Sequence, residues 1–441
     1  YRFDAGPSLF TLPQNVDELF ELCGENPREY FNYIKKDESC RYFWEDGKSL
    51  TAYSDIDKFT REAETKLGES GEAIRSHLKL AKKQYESTSE FFLKRSLHRL
   101  KTYLRFSIFR TILAIPSLKL FSSMHSVHSR RFRTAHMIQI FDRYATFNGS
   151  SPFRAPGTLC MIPHLEFGFG TFLPEKGMID ITNSLVNLAT RQGVNFHFNE
   201  KVLKIISDRK EAQGIIVKRG NKELVFSSDI IVSNMDITPT YQKLLPHLKE
   251  PVKILTQERS SSALIFYWGI KSNFPELDLH NILFSKDYKE EFDSLFKSKN
   301  LSSDPTVYIN ITSKNIIQDA PNNSENWFVM INVPSDCGQD WNSIRLRAKK
   351  LILDKIKRIL GHDISSLIEC EEYLDPLKIQ SKTSSEKGSL YGSSSNSAFS
   401  AFLRHPNQRA LRNLYFCGGS AHPGGGIPLC LLSAKIVSNA I

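Results

Sequence analysis

The sequence has no run of about 18 consecutive apolar residues, the minimum for a helix that crosses a bilayer. An ordinary spanning helix is therefore excluded, whereas a protein that lies on a membrane surface is not. Cysteine is sparse. Cys23, Cys40, Cys160, Cys337, Cys370, Cys417 and Cys430 form no C-x-x-C pair and are odd in number, which argues against a disulfide framework or a zinc site and points to a reducing cytosol. Ser-His-Asp and metal-ligand spacings are missing, and the twelve histidines fall mostly in basic stretches, so neither nucleophilic chemistry nor a bound metal is expected. The chain opens on Tyr1 without a secretory signal, in a segment that reads as mid-domain, and a preceding segment is expected. What remains is globular: 441 residues, 40% hydrophobic and 24% charged, enough for two or three domains with their own cores.

The charge is concentrated. Between Phe91 and Arg143 stand eleven Lys or Arg residues and a single acid, Asp142, so this window carries the whole net charge of +10. Phe, Leu and Ile are interleaved with the basic residues at helical spacing. That pattern suits a surface helix whose apolar face enters acyl chains while Lys and Arg meet anionic head groups. The plainer alternative is a partly buried helical pair with a solvated basic face. Nucleic acid is not expected as a partner, because no recognisable nucleic-acid module accompanies the charge. Pro116 should break or kink a helix running through Leu113.

Periodicity outlines the elements. The first sixty residues alternate short apolar runs with turn signals, and residues 55–135 read as helical and charged. Met178 to Gln192 has helical spacing and stops at Gly193. The period then changes to two, predicting strands at Val194–Phe198, Val202–Ile206, Gly214–Lys218, Leu224–Phe226 and Ile230–Val232. Ala263–Gly269 and Asn326–Val333 are further strands, and Trp341–Leu360 is a long amphipathic helix ending before Gly361.

The C-terminal segment is the most informative. An apolar strand, Asn413 to Cys417, runs into a loop with five glycines among the nine residues from Gly418 to Gly426, and then into an apolar helix starting near Ile427. Glycines let backbone N–H groups approach an anionic or planar ligand, and the helix N-terminus adds positive dipole.

The wording of this segment, His422-Pro423-Gly424-Gly425-Gly426-Ile427-Pro428, resembles the closing motif of the bacterial-type phytoene desaturase family, the flavin-dependent carotenoid desaturases and isomerases. Other blocks resemble the family in the same order: Phe3-Asp4-Ala5-Gly6-Pro7-Ser8, Tyr144 to Pro156, Phe172 to Met178, Asn199-Glu200-Lys201-Val202, Val232-Ser233-Asn234-Met235-Asp236 and Gly388-Ser389-Leu390-Tyr391-Gly392. The run Ile427 to Lys435 is most similar to the hydroxycarotenoid 3,4-desaturase branch. Two features depart from the family. Its early G-x-G-x-x-G loop is absent from this chain, and Lys176 replaces the first glycine of a Gly-Gly pair.

The resemblance implies an α/β fold: a discontinuous FAD-binding Rossmann-like domain (1–60, 175–240 and 405–441) and an inserted α+β substrate domain (61–174 and 241–404) with a helical membrane-docking part. It implies FAD as cofactor, held by Gly6, Pro7, Ser8, Val202, Asn234, Met235, Gly419, Ser420, Gly425, Gly426, Ile427 and Pro428. The implied partners are a carotenoid, phytoene or a hydroxylated carotenoid, the bilayer surface and quinone or oxygen as electron acceptor, at a cytoplasmic, peripheral membrane location. Desaturation removes a hydride and a proton, and no side chain accepts a hydride, so a redox cofactor is required. Asp142, Arg143 and His136 are the candidates to help the proton leave, with Glu166 and Tyr391 behind them; Asp142 and Arg143 are expected to form a local ion pair. A cis-trans isomerase of the same family and a non-catalytic prenyl-lipid carrier of the same fold are the competing readings.

Overall fold

The computed structural model describes residues 1–97, 116–397, 400, 402–409 and 411–441. Among these residues fourteen strands form four sheets around two unequal halves.

The larger sheet has seven strands in the order β13-β9-β12-β11-β10-β2-β3. Its members are β2 (Glu38–Phe43), β3 (Ser49–Tyr53), β9 (Ser262–Ile270), β10 (His280–Leu283), β11 (Val307–Ile311), β12 (Glu325–Val333) and β13 (Ile368–Leu374). Every pair is antiparallel except β10 with β2. Strand β9 is buried along its whole length, so its two faces serve different purposes. Side chains alternate across a strand. Leu264, Phe266, Trp268 and Ile270 enter a core with Trp327, Val329 and the Trp341–Leu360 helix, whereas Ala263, Ile265 and Tyr267 point the other way with Phe328 and Met330. The helix forms where its spacing predicts: Asp340 caps its first turn by accepting from the Asn342 and Ser343 amides, and Gly361 ends it at φ 77°.

The second half carries the glycine-rich segment. The parallel pair β8 (Ile231–Ser233) and β14 (Leu414–Phe416) feeds the loop that begins at Gly418, and the helix Ile427–Ser438 follows. Beside it β5 (Glu200–Ser207), β6 (Ala212–Arg219) and β7 (Lys222–Ser227) make the expected antiparallel meander. A short pair, β1 (Tyr33–Lys35) with β4 (Phe172–Pro174), closes over the helices Gln14–Leu22 and Ile179–Arg191.

Two expectations need correction. Strands β2 and β3 fall within the 1–60 segment assigned to the cofactor domain, yet they hydrogen-bond into the sheet built from residues 262–374. Val194–Phe198 is not a strand; no ladder partner flanks it among the described residues, and Phe196 stacks on Phe198 at 5.9 Å with both rings exposed. In the basic window, residues 98–115, with most of the apolar side chains expected to face the membrane and the helix through Leu113, lie outside the described residues, while further along Met124, Val127, Phe132, Met137, Ile140 and Phe141 belong to the core. Among the described residues no helix is long and apolar enough to cross a membrane.

Candidate functional site

A cavity of about 1630 Å³ runs between the two halves. One wall is the inner face of the large sheet, with Ala263, Ile265, Tyr267, Phe328 and Met330. The opposite wall is the glycine loop with the start of the last helix, and the Ala5–Leu9 segment passes beside both.

The loop's shape follows from its glycines and from three polar side chains. Gly418 sits at φ 98°, and a Cβ there would run into the Asn234 side chain. Gly425 has its back to Tyr391, whose ring would lie 2.7 Å from a Cβ. The buried Arg404 guanidinium donates to the carbonyls of Tyr391 (2.7 Å), Gly419 (3.1 Å) and Ser393 (2.9 Å). Burial, followed by the nearby Arg259 charge, lowers its pKa to about 10, which still leaves it charged at neutral pH. Asn407 Nδ2 donates to the carbonyls of Phe416 and His422, and Ser433 Oγ accepts from the Gly418 amide. Nothing in the local sequence around Arg404 or Asn407 marks them as loop supports.

The backbone of this wall fits a flavin. Open space surrounds the positions where Gly6 and Gly426 would carry a Cβ, and both line the cavity. The helix Ile427–Ser438 starts without a side-chain cap, which leaves its first N–H groups to whatever occupies the cavity.

Of the residues the resemblance implied for the cofactor, ten line this cavity: Gly6, Pro7, Ser8, Asn234, Gly419, Ser420, Gly425, Gly426, Ile427 and Pro428. Val202 and Met235 do not. Val202 pairs with Val217 in the meander, and Met235 packs against the core beneath β8 and β14.

Arg143 is the one primary proton-handling candidate that lines the cavity, as Glu166 and Tyr391 also do. Asp142 lies elsewhere, and the expected Asp142–Arg143 ion pair does not form. Asp142 is 1% exposed and is held at 2.6 Å by both His125 Nδ1 and His128 Nδ1, while the far nitrogen of His128 lies 3.3 Å from Cys160 Sγ. Arg143 instead meets Glu166 at 3.5 Å and donates to the Tyr42 hydroxyl at 3.0 Å. His136 sits against Trp44 and hydrogen-bonds Asp46. Ser8 Oγ is 2.8 Å from the Tyr308 hydroxyl, which is 2.7 Å from His280 Nδ1. Burial holds His280 neutral, with its pKa down to about 3.

The Asp142 contacts have a measurable consequence. Its hydrogen bond raises the pKa of the half-buried His125 above the ordinary 6.5. A raised folded-state pKa stabilises fully below the unfolded value and is lost as pH climbs through the folded one. Thermal melts should therefore show stability falling as pH rises above about 6.5, and the fall should be shallower in His125→Asn. An equal slope in both proteins would remove His125 from the account.

Residues 1–280 match the family model for flavin-containing amine oxidoreductases. The whole chain aligns with 89% of the 1-hydroxycarotenoid 3,4-desaturase of a Flavobacterium species at 50% identity. It also aligns with 88% of the 4,4'-diapolycopene oxygenase of a Methylomonas species at 30% identity, and with 81% of the phytoene desaturase of Fusarium fujikuroi at 29% identity. Among solved structures, an oxidoreductase from Methanosarcina mazei shares the fold with a TM-score of 0.58 at 13% identity, covering 98% of this chain and 86% of that one. Cyclohexylamine oxidase from Brevibacterium oxydans does so at 0.54 and 12% identity, covering 98% of this chain and 86% of that one. Family model and relatives agree with the glycine-lined wall: the chain belongs to the flavin-containing amine oxidoreductases, within their carotenoid desaturase group, and is an FAD-dependent oxidoreductase.

Proposed function

We propose that the protein introduces a C=C bond into an acyclic carotenoid, and that its substrate is a 1-hydroxylated carotenoid desaturated at the 3,4 position. The observation that carries this reading is the 50% identity, over the whole chain, with a desaturase of that specificity. The long cavity, with an apolar sheet face on one side and a flavin-compatible backbone on the other, supports it.

When bound, FAD supplies the hydride acceptor that no side chain provides. The chain's own part is positional. Ile265, Tyr267, Phe328 and Met330 form a floor that holds a polyene flat and keeps water out. Correct placement of reacting groups is worth up to about 7–11 kcal/mol of barrier. Because a carotenoid dissolves in lipid, the reading includes peripheral attachment to the cytoplasmic face of a membrane through the basic side chains of the 91–143 window, with quinone or oxygen taking electrons from the reduced cofactor.

The test uses flavin-loaded protein on anionic liposomes carrying a 1-hydroxylated acyclic carotene. The polyene absorption band should move to longer wavelength as conjugation extends, and raising the salt should release protein from the vesicles. Bound flavin with an unchanged polyene spectrum would overturn desaturation and favour isomerisation.

A further inference from the structure

Charged groups have no obvious business in an apolar cavity, since burying an ion pair costs more than it returns unless its remaining polar atoms are satisfied. Arg143 and Glu166 are such a pair. Their side chains are 10% and 2% exposed, and both residues line the cavity. On the side turned from the cavity the pair is well held. Arg143 Nη2 donates to Tyr42 and lies 3.5 Å from Glu166 Oε2, and the Tyr144 hydroxyl donates to the same carboxylate oxygen at 2.6 Å. Two polar atoms of the pair are left over. Among the described residues neither Arg143 Nη1 nor Glu166 Oε1 has a hydrogen-bond partner, and neither is sealed from the cavity as Arg143 Nε is.

A free guanidinium nitrogen on one residue and a free carboxylate oxygen on its ion-pair partner match one functional group. An alcohol oxygen accepts through a lone pair and donates through its proton, so a single hydroxyl satisfies both. A carboxylate or phosphate would face Glu166 with like charge, and an amine would face Arg143 likewise. The location also fits. In a 1-hydroxylated chain a single carbon separates the oxygen-bearing carbon from the 3,4 bond, so the group that reads the oxygen must lie close to the reacting position. Tyr308, hydrogen-bonded to Ser8, lines the same cavity as Arg143, Glu166 and the glycine loop.

We propose that Arg143 and Glu166 form an alcohol-binding subsite, in which Arg143 Nη1 donates to the tertiary hydroxyl oxygen of the substrate and Glu166 Oε1 accepts its proton in a hydrogen bond. The subsite rests on the reading that the substrate is a hydroxylated carotenoid and assigns the residues that select it. No proton is transferred and no covalent bond changes; the pair fixes the register of the chain along the cavity.

The test compares three ligands on the flavin-loaded protein: an acyclic carotene with a 1-hydroxyl, its 1-methoxy ether and its deoxy parent. Affinity is read from quenching of protein fluorescence, and turnover from the polyene band. Sites built to hydrogen-bond a substrate hydroxyl reject the analogue lacking it by up to about 10⁴–10⁵-fold; for this two-bond contact a preference of about 100-fold in kcat/KM over the deoxy compound is expected. The ether, which accepts but cannot donate, should fall between them. In Glu166→Gln the amide oxygen stays with Tyr144 and Arg143, so its NH2 group faces the cavity as a donor. The hydroxyl's advantage over the ether should then vanish, while Arg143→Met should pull both oxygenated ligands down toward the deoxy parent. Equal affinity and turnover of all three ligands with the wild-type protein would overturn the subsite and leave carotenoid desaturation standing. Failure to desaturate any of them would overturn the function itself. If Arg143→Met does not fold, the ether comparison and Glu166→Gln decide the matter; an unchanged hydroxyl-to-ether ratio in folded Glu166→Gln refutes the assignment.

Discussion

Gly425→Val yields a folded protein that purifies without yellow colour. The new Cβ would lie 2.7 Å from the Tyr391 ring and 3.2 Å from the Tyr391 Cα, so the loop must swing toward the cavity, where the flavin belongs. Overpacking of this kind costs about 1–3 kcal/mol, a fraction of the roughly 5–15 kcal/mol that stabilises a domain. Folding therefore survives while the cofactor surface does not. Flavin absorbance should drop below about a tenth of the wild-type value, with the far-ultraviolet circular dichroism retained. Normal flavin occupancy would show that the loop does not form the flavin wall.

Ile265→Trp separates the substrate side from the cofactor side. Ile265 points from β9 into the cavity, away from the core that Leu264 and Phe266 enter, so an indole has room to grow only into the path of the polyene. Flavin content should be retained. A displacement of about 1 Å at the reacting centre costs about 100-fold, so kcat/KM should fall by at least about that factor. Unchanged kinetics would place the substrate elsewhere.

What the sequence made legible was local. The helix Trp341–Leu360 announces itself through a 3.6-residue stripe and a terminal glycine, both within one stretch of chain. The glycine loop is legible because close backbone approach excludes a Cβ, a demand that only one residue type meets. Non-local pairing was not legible. Nothing within residues 38–53 says that β2 will join β10, more than two hundred residues away. Asp142 and Arg143 adjoin in sequence and suggest an ion pair, but consecutive residues at a helix end point to different sides. Asp142 turns to His125 and His128, and Arg143 to Glu166. Arg404 stayed hidden for the same reason: its carbonyl partners lie on two stretches of loop, Tyr391 and Ser393 on one and Gly419 on the other, that meet only in the folded chain.

The two faces of β9 imply a division of evolutionary labour. Leu264, Phe266 and Trp268 are committed to a packed interior, where truncating a large side chain costs about 3–5 kcal/mol. Their neighbours Ala263 and Ile265 line the cavity, so that a change in their size acts first on the ligand, while Tyr267 is also tied to the Ala5 carbonyl at 2.9 Å. Along one strand, every second position is constrained by stability and the positions between them by the shape of the ligand. A lineage on this scaffold can therefore explore new polyenes by substituting alternate residues of a single strand without endangering the fold that presents them.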